Sequence, residues 1–400
     1  MSAEPPFLPY GRHTIEADDI AAVSAVLKSD FLTTGPAVDA FETAFAAATG
    51  ARHAVALSSG TAALHLATLA LGLGPGDAVV VPSITFVATA NVAELVGADV
   101  LFADVDADTG LMTPATLEAA LARRGDAAPR AVYPVHLNGQ SADMAGIKEV
   151  ADRHGLRIVE DACHALGGTA HDRPVGGCVN SDMAMFSLHP VKTIAMGEGG
   201  VLTTNDDDLA ASLRGLRNHG LVRDAALFEN GAMAFDAEGD ANPWYYELHA
   251  PAFNYRASDI HCALGTSQLS KLERFVGARH KLADIYDEAL TPLAPQVRPV
   301  SRVCYGSSGW HLYAVLIDFD GIGKERAAVM HQLRQSGIGT QVHYIPVHRQ
   351  PYYRERHGNL DLPGADAYYG RCLSLPLYPT MTNADVARVV AALREATGRH

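Results

Sequence analysis

Between residues 53 and 205, short apolar runs alternate with longer mixed segments. The runs predict strands near 53–57, 78–81, 99–103, 130–135, 156–160, 182–187 and 200–204, and the segments between them predict helices near 61–71, 85–96, 114–123 and 143–153. Within each run the apolar residues are continuous rather than alternating. Such strands are buried on both faces, so the pattern predicts an α/β fold with a mostly parallel sheet covered by helices on either side.

The flanking regions read differently. A helix is expected from near Thr14 to about Lys28, with acids in its first turn, and a second amphipathic helix from Ala37 to Ala48 after a turn over Asp30 to Pro36. Leu221 to Gly239 is weakly periodic and reads as a loop or insertion, followed by the aromatic cluster Pro243-Trp244-Tyr245-Tyr246-Glu247. A long helical pattern then runs from Ala257 to about Leu290. Beyond it come a strand (Trp310 to Asp318), a helix (Lys324 to Ser336), a second strand (Gly339 to Tyr344) and helices near 363–372 and 383–397. Four hundred residues exceed one comfortable core, which predicts two domains. The boundary is placed near residue 255: 1–255 as a large α/β domain with the N-terminal segment, and 256–400 as a smaller α+β domain.

Candidate chemistry centres on Phe186 to Asn205. Asp182 to Ser187 reads as a buried strand, His189-Pro190 breaks it, and Gly197-Glu198-Gly199-Gly200 makes a turn before the next strand. Lys192 is thereby held between two strands in a glycine-lined loop. A solvated lysine needs no such setting, whereas one that forms an imine must be shielded from water. Two further stretches fit the same chemistry. The strand Leu156 to Glu160 delivers Asp161 at its C-terminal end, where open parallel sheets bind ligands. The strand His53 to Leu57 runs into Ser58-Ser59-Gly60-Thr61 and a helix, whose free N–H groups and dipole favour an anion. A lysine for an imine, a carboxylate to keep a pyridine nitrogen protonated and a helix start for a phosphate together predict a pyridoxal phosphate site. Ser187 is expected to share in holding the phosphate, and His164, shortly after Asp161, to pack on the cofactor.

Composition narrows the class. Hydrophobic residues make up 48% and charged residues 19%, and the net charge is −14, with no basic cluster that would serve nucleic acid or an anionic membrane. No stretch reaches the roughly 18 apolar residues of a membrane span. The first residues lack a basic region followed by an apolar core, so no secretory signal is expected and a cytoplasmic location is. Five separated cysteines read as reduced thiols, and the dispersed histidines predict no metal. No GxGxxG follows the first strand, which argues against a dinucleotide-binding fold.

The motifs LPYGRHTIEADDI, SDFLTTGPAVDAFE, SSGTAALHLA, EDACHALGG, FSLHPVKTIAMGEGG, FNYRASDIHCALGTSQLSKL, VHYIPVHRQPYYRE and LSLPLYP span nearly the whole chain. In them the chain resembles the DegT/DnrJ/EryC1/StrS family of pyridoxal-phosphate-dependent nucleotide-sugar aminotransferases. The resemblance implies the fold type I (aspartate aminotransferase-like) architecture, L-glutamate as amino donor, a keto-sugar nucleotide as acceptor, and a homodimer with shared active sites. It also implies roles. Lys192 and Asp161 are the catalytic pair. Gly60, Thr61, Phe86, His164, Ser187 and Asn254 bind the cofactor beside them, with Phe86 stacked on the pyridine ring. Tyr10, Asp30, Phe31, Leu32 and Thr33 contact the substrate, joined by Gly60, Ser187, Asn254, Gln341, Val342, His343 and Tyr344. Asn254 is implied to reach the partner's site. HPVK, PWYYE and VHYIPVH look most like the branch that makes UDP-4-amino-4,6-dideoxy-N-acetyl-β-L-altrosamine for pseudaminic acid. Leu188, Ala195-Met196 and Cys163 depart from the common family pattern and bear on the sugar rather than the cofactor. Lys192 argues against the dehydratases of this family, in which histidine replaces that lysine, and Lys192, Asp161 and Ser187 together argue against a catalytically silent relative.

Overall fold

The computed structural model describes residues 6–123 and 125–398. The reading of the chain's start as lacking a signal falls partly on residues 1–5, outside the described residues. Seven strands form the central sheet: β1 (His53–Leu57), β2 (Asp77–Pro82), β3 (Asp99–Ala103), β4 (Ala128–Val132), β5 (Arg157–Asp161), β6 (Met183–Ser187) and β7 (Gly200–Thr204). Their order across the sheet is β1-β7-β6-β5-β4-β2-β3. Pairing is parallel from β6 through β5, β4 and β2 to β3, and β7 runs antiparallel to both its neighbours. Val79, Val80, Val81, Val159 and Leu202 are fully buried. Burial of successive residues means that both faces are covered, which is why the runs had to be continuous.

Four helices position the site: α1 (Ala17–Val26), α2 (Pro36–Thr49), α3 (Gly60–Ala70) and α4 (Ala88–Leu95). The first helix begins later than Thr14, because Glu16 is its cap: the Glu16 N–H donates to Asp19 Oδ2 at 2.8 Å. α4 begins at Ala88 instead of residue 85, leaving Thr85 and Phe86 in the turn that leaves β2.

The long helix expected from Ala257 to Leu290 is two helices, Asp259–Leu269 and Leu272–Leu290. The break falls at Lys271, whose buried ammonium lies 2.7 Å from Asp18, 2.8 Å from Asp19 and 3.4 Å from Glu16 at the start of α1. A cation this buried is tolerated only with such partners, and no local periodicity announces them. Leu221–Val222 pairs with Glu247–Leu248, so the insertion closes on itself as a small two-stranded element. Toward the C-terminus, Val297–Pro299, Tyr313–Ile317 and Cys372–Leu375 form a separate three-stranded sheet over a core containing Tyr286, Leu333, Val389 and Leu393. The expected strand over residues 339–344 makes only one bridge, Gln341 to Ser374. Its following residues turn toward the central sheet. Conversely, Cys372–Leu375 is a strand that directly abuts the helix Pro363–Arg371, too short for its own pattern to stand out.

Candidate active site

β5 and β6 end side by side and present Asp161 and Ser187 at the C-terminal edge of the sheet. Asp161 is 5% exposed. Its Oδ2 accepts the Thr89 hydroxyl at 2.7 Å and its Oδ1 accepts the Cys163 N–H at 3.2 Å. The backbone is fixed too: the Asp161 N–H donates to the Pro134 carbonyl at 2.8 Å, and the His136 N–H donates to the Asp161 carbonyl at 3.0 Å.

The loop between β6 and β7 is closed on itself by Leu188 N–H to the Gly199 carbonyl at 2.9 Å, Met196 N–H to the Leu188 carbonyl at 2.9 Å and Lys192 N–H to the His189 carbonyl at 2.8 Å. It delivers Lys192 to the same cavity as Asp161. Burial lowers the pKa of the Lys192 amine from its ordinary value, with Cys163 and the Asp161 charge acting in the opposite sense. An amine in this state is more readily neutral, so its lone pair is more available to attack a carbonyl or accept a proton near neutral pH.

Opposite, Ser59 caps α3 by accepting the Ala62 N–H at 3.1 Å. Two glycines make the approach possible. A Cβ on Gly60 would lie 2.8 Å from Ser187 Cβ, and one on Gly200 would lie 2.2 Å from the Ser59 carbonyl oxygen. Ser59, Gly60 and Thr61 at the start of α3 thus line the cavity together with Ser187, a setting suited to a phosphate.

A wall of aromatic and imidazole rings closes the remaining side. Tyr344 and His164 share a hydrogen bond between the hydroxyl and Nε2 at 3.0 Å, and His343 Nδ1 pairs with Ser374 Oγ at 2.8 Å. His164 and His311 lie with ring centroids 4.4 Å apart, and Tyr10 and His343 5.5 Å apart. Burial, reinforced by Lys192, pushes the imidazole of His164 well below its ordinary range and that of His343 down to about 3. His311 follows for the same leading cause. Burial likewise raises the Tyr344 phenol, so this wall is neutral around pH 7. Phe86 is 56% exposed and reaches over the cavity 6.1 Å from the Tyr344 ring.

The cavity has a volume of about 540 Å³. Of the residues singled out in the sequence, Tyr10, Gly60, Thr61, Phe86, Asp161, His164, Ser187, Lys192 and Gln341 to Tyr344 all line it. Asp30, Phe31, Leu32, Thr33 and Asn254 do not, and all five are exposed. They gather elsewhere on the chain: Thr33 bridges Ser258, the Leu32 carbonyl accepts the Asp259 N–H at 3.1 Å, and Asn254 bridges Asn218. Sequence reasoning missed Thr85, Thr89 and His311. The four-residue spacing of Thr85 and Thr89 after a strand was a usable signal, whereas nothing local marks His311, which follows Trp310 in an apolar run.

The family profile of the DegT/DnrJ/EryC1/StrS aminotransferases matches residues 13–394. The chain belongs to that family. Solved structures agree. Helicobacter pylori PseC, an aminotransferase of pseudaminic acid biosynthesis, superposes with a TM-score of 0.87 at 26% identity, covering 98% of this chain and 99% of that one. Spr1654 of Streptococcus pneumoniae, assigned as a sugar aminotransferase and solved in a PMP form and a PLP form, gives 0.87 at 26% identity over 98% and 99% for the former. S. venezuelae DesV gives 0.85 at 32% identity over 99% and 100%. The protein is an aminotransferase of fold type I that uses pyridoxal phosphate.

The residues present fit that cofactor. Gly60 and Gly200 pack too closely on Ser187 and on the Ser59 carbonyl to admit a Cβ, which keeps the start of α3 beside the Ser187 hydroxyl, and the buried His164 Nδ1 has no partner among the described residues. Lys192 would supply the amine for covalent attachment and Asp161 the carboxylate for a pyridine nitrogen. When bound, the cofactor supplies an electron-withdrawing ring that stabilises negative charge at a neighbouring carbon. The chain's own part would be to hold that ring, exclude water and move a proton through Lys192 Nζ.

Proposed function

We propose that this protein transfers an amino group from L-glutamate to a 4-keto-6-deoxy UDP-N-acetylhexosamine, giving UDP-4-amino-4,6-dideoxy-N-acetyl-β-L-altrosamine for pseudaminic acid biosynthesis. The observation that carries the aminotransferase part of the reading is the convergence of Lys192, Asp161 and the segment Gln341 to Tyr344 on one cavity. In this reading Lys192 holds the cofactor and shuttles the proton, and Asp161 faces its ring nitrogen. Gly60, Thr61 and Ser187 hold the phosphate, Phe86 and His164 flank the ring, and Tyr10 with residues 341–344 contacts the sugar. Asp30 to Thr33 and Asn254, exposed outside the chain's own cavity, serve the partner of a homodimer. The division into domains at residues 1–255 and 256–400 and a cytoplasmic location belong to the same proposal. Among the described residues no helix is long and apolar enough to cross a membrane.

Likeness to PseC, an aminotransferase of pseudaminic acid biosynthesis, supports this assignment. A second reading, amination of another nucleotide-linked keto-sugar, is favoured by DesI, solved with its TDP-sugar product and 32% identical over 98% of this chain. Turnover of a panel of UDP- and TDP-linked keto-sugars with glutamate decides between them. We expect the UDP-N-acetyl substrate to show the highest kcat/KM, and preference for a TDP-linked sugar would overturn the assignment while leaving the aminotransferase intact.

A further inference from the structure

The two carboxylate oxygens of Asp161 have different kinds of support. Oδ1 takes a backbone N–H from Cys163, whereas Oδ2 takes a side-chain hydroxyl from Thr89 at 2.7 Å. Thr89 lies in the first turn of α4 and is fully buried, and Thr85, four residues earlier, is 1% exposed. Their hydroxyl oxygens are 2.8 Å apart. A hydroxyl has one proton. Since Thr89 gives its proton to Asp161, Thr85 must donate to Thr89, and the order of the chain is fixed as Thr85 to Thr89 to Asp161. Thr85 itself lines the cavity. The start of α4 also brings the positive end of a helix toward the carboxylate.

We propose that Thr89, oriented by Thr85, is a positioning residue that fixes the plane of the Asp161 carboxylate toward the cofactor ring. Backbone contacts hold the main chain of Asp161, whereas the Cys163 N–H and the Thr89 hydroxyl bind its two carboxylate oxygens, with the Cys163 thiol beside them. Rotation about the terminal torsion of an aspartate is soft, so one bond on each oxygen is what defines the plane. Removing the Thr89 bond leaves the other oxygen tethered and the plane free to turn. The inference rests on the reading of Asp161 as the partner of the ring nitrogen.

Thr89→Val keeps the branched shape and removes the hydroxyl, and Thr89→Ser restores it. Loss of one hydrogen bond to a charged group corresponds to roughly 10- to 100-fold. We expect Thr89→Val to lower kcat by about that factor with KM for both substrates nearly unchanged. It should also weaken binding of pyridoxal phosphate to cofactor-free protein and shift the pH dependence of the bound cofactor's visible absorbance. Thr89→Ser should restore all three, and Thr85→Val should fall between. If Thr89→Val does not accumulate folded, Thr89→Ala and Thr85→Val carry the same comparison. Asp161→Asn serves as the reference. In that background, Thr89→Val should cost less than about threefold, because the bond to a charge is already gone. Equal losses in both backgrounds, or Thr89→Val with wild-type kcat and absorbance while Asp161→Asn is impaired, would overturn the role of Thr89 alone. An Asp161→Asn enzyme with wild-type turnover would instead overturn the reading of Asp161, and this inference with it.

Discussion

Gly60 and Ser187, from opposite ends of two elements, meet so closely that a Cβ on Gly60 would lie 2.8 Å from Ser187 Cβ and 3.3 Å from its Cα. Helix propensity alone would favour alanine at the first position of α3 by about 1 kcal/mol. Overpacking against a strand end costs typically about 1–3 kcal/mol. Gly60→Ala is therefore expected to leave the fold intact, to reduce stability by about 1 kcal/mol in urea unfolding, and to weaken pyridoxal phosphate binding about tenfold by displacing the Ser187 hydroxyl. A more stable variant with unchanged cofactor affinity would contradict the cradle.

Lys192→Ala should abolish turnover and borohydride-reducible attachment of the cofactor. The same substitution bears on stability. Because burial lowers the folded-state pKa of Lys192 below 10.5, the unfolded chain binds the proton more tightly. The stability of the cofactor-free protein should then rise with pH between the folded value and 10.5, and this contribution should vanish in the variant. Stoichiometric reducible adduct in Lys192→Ala would place the attachment elsewhere.

His343 gives a pH effect in a different window. Its pKa falls from 6.5 unfolded to about 3 folded, chiefly through burial and then through Lys192. Protons therefore bind the unfolded chain more tightly, and stability is lost as pH drops from 6.5 toward 3. Between pH 7 and pH 5 this one group accounts for about 2 kcal/mol. His343→Gln, which can still hydrogen-bond Ser374, should unfold in urea with a correspondingly shallower loss over that interval. Parallel pH curves for variant and wild type would refute the neutral wall.

Asn254 is exposed and lies outside the cavity lined by Lys192 in its own chain. In the homodimer proposed above it completes the partner's site. Lys192→Ala and Asn254→Ala subunits, each inactive alone, should then recover activity on mixing, to at most about a quarter of wild type under random pairing. No recovery despite proven subunit exchange, or a fully active monomer by light scattering, would reject sharing.

Much of this was legible in the residues themselves. The buried sheet showed as continuous apolar runs, and the candidate anchors Lys192, Asp161 and Gly60-Thr61 showed because each lies at or just beyond the end of a strand, a junction written in local sequence. Boundaries slipped where a side chain from far away decided them. Lys271 breaks a helical pattern to reach Asp18 and Asp19, and Gln341 to Tyr344, expected as a strand, instead wall the cavity. Thr89 could be read as a helix-start residue, but not as a donor to Asp161, 72 positions later. Local pattern determines which elements form and which residue types stand at their ends, because propensity and periodicity act over a few residues. Which of those ends meet, and how far burial shifts Lys192, His164 and His343, is decided only by packing between elements remote in the chain, since desolvation and hydrogen bonding depend on neighbours in space.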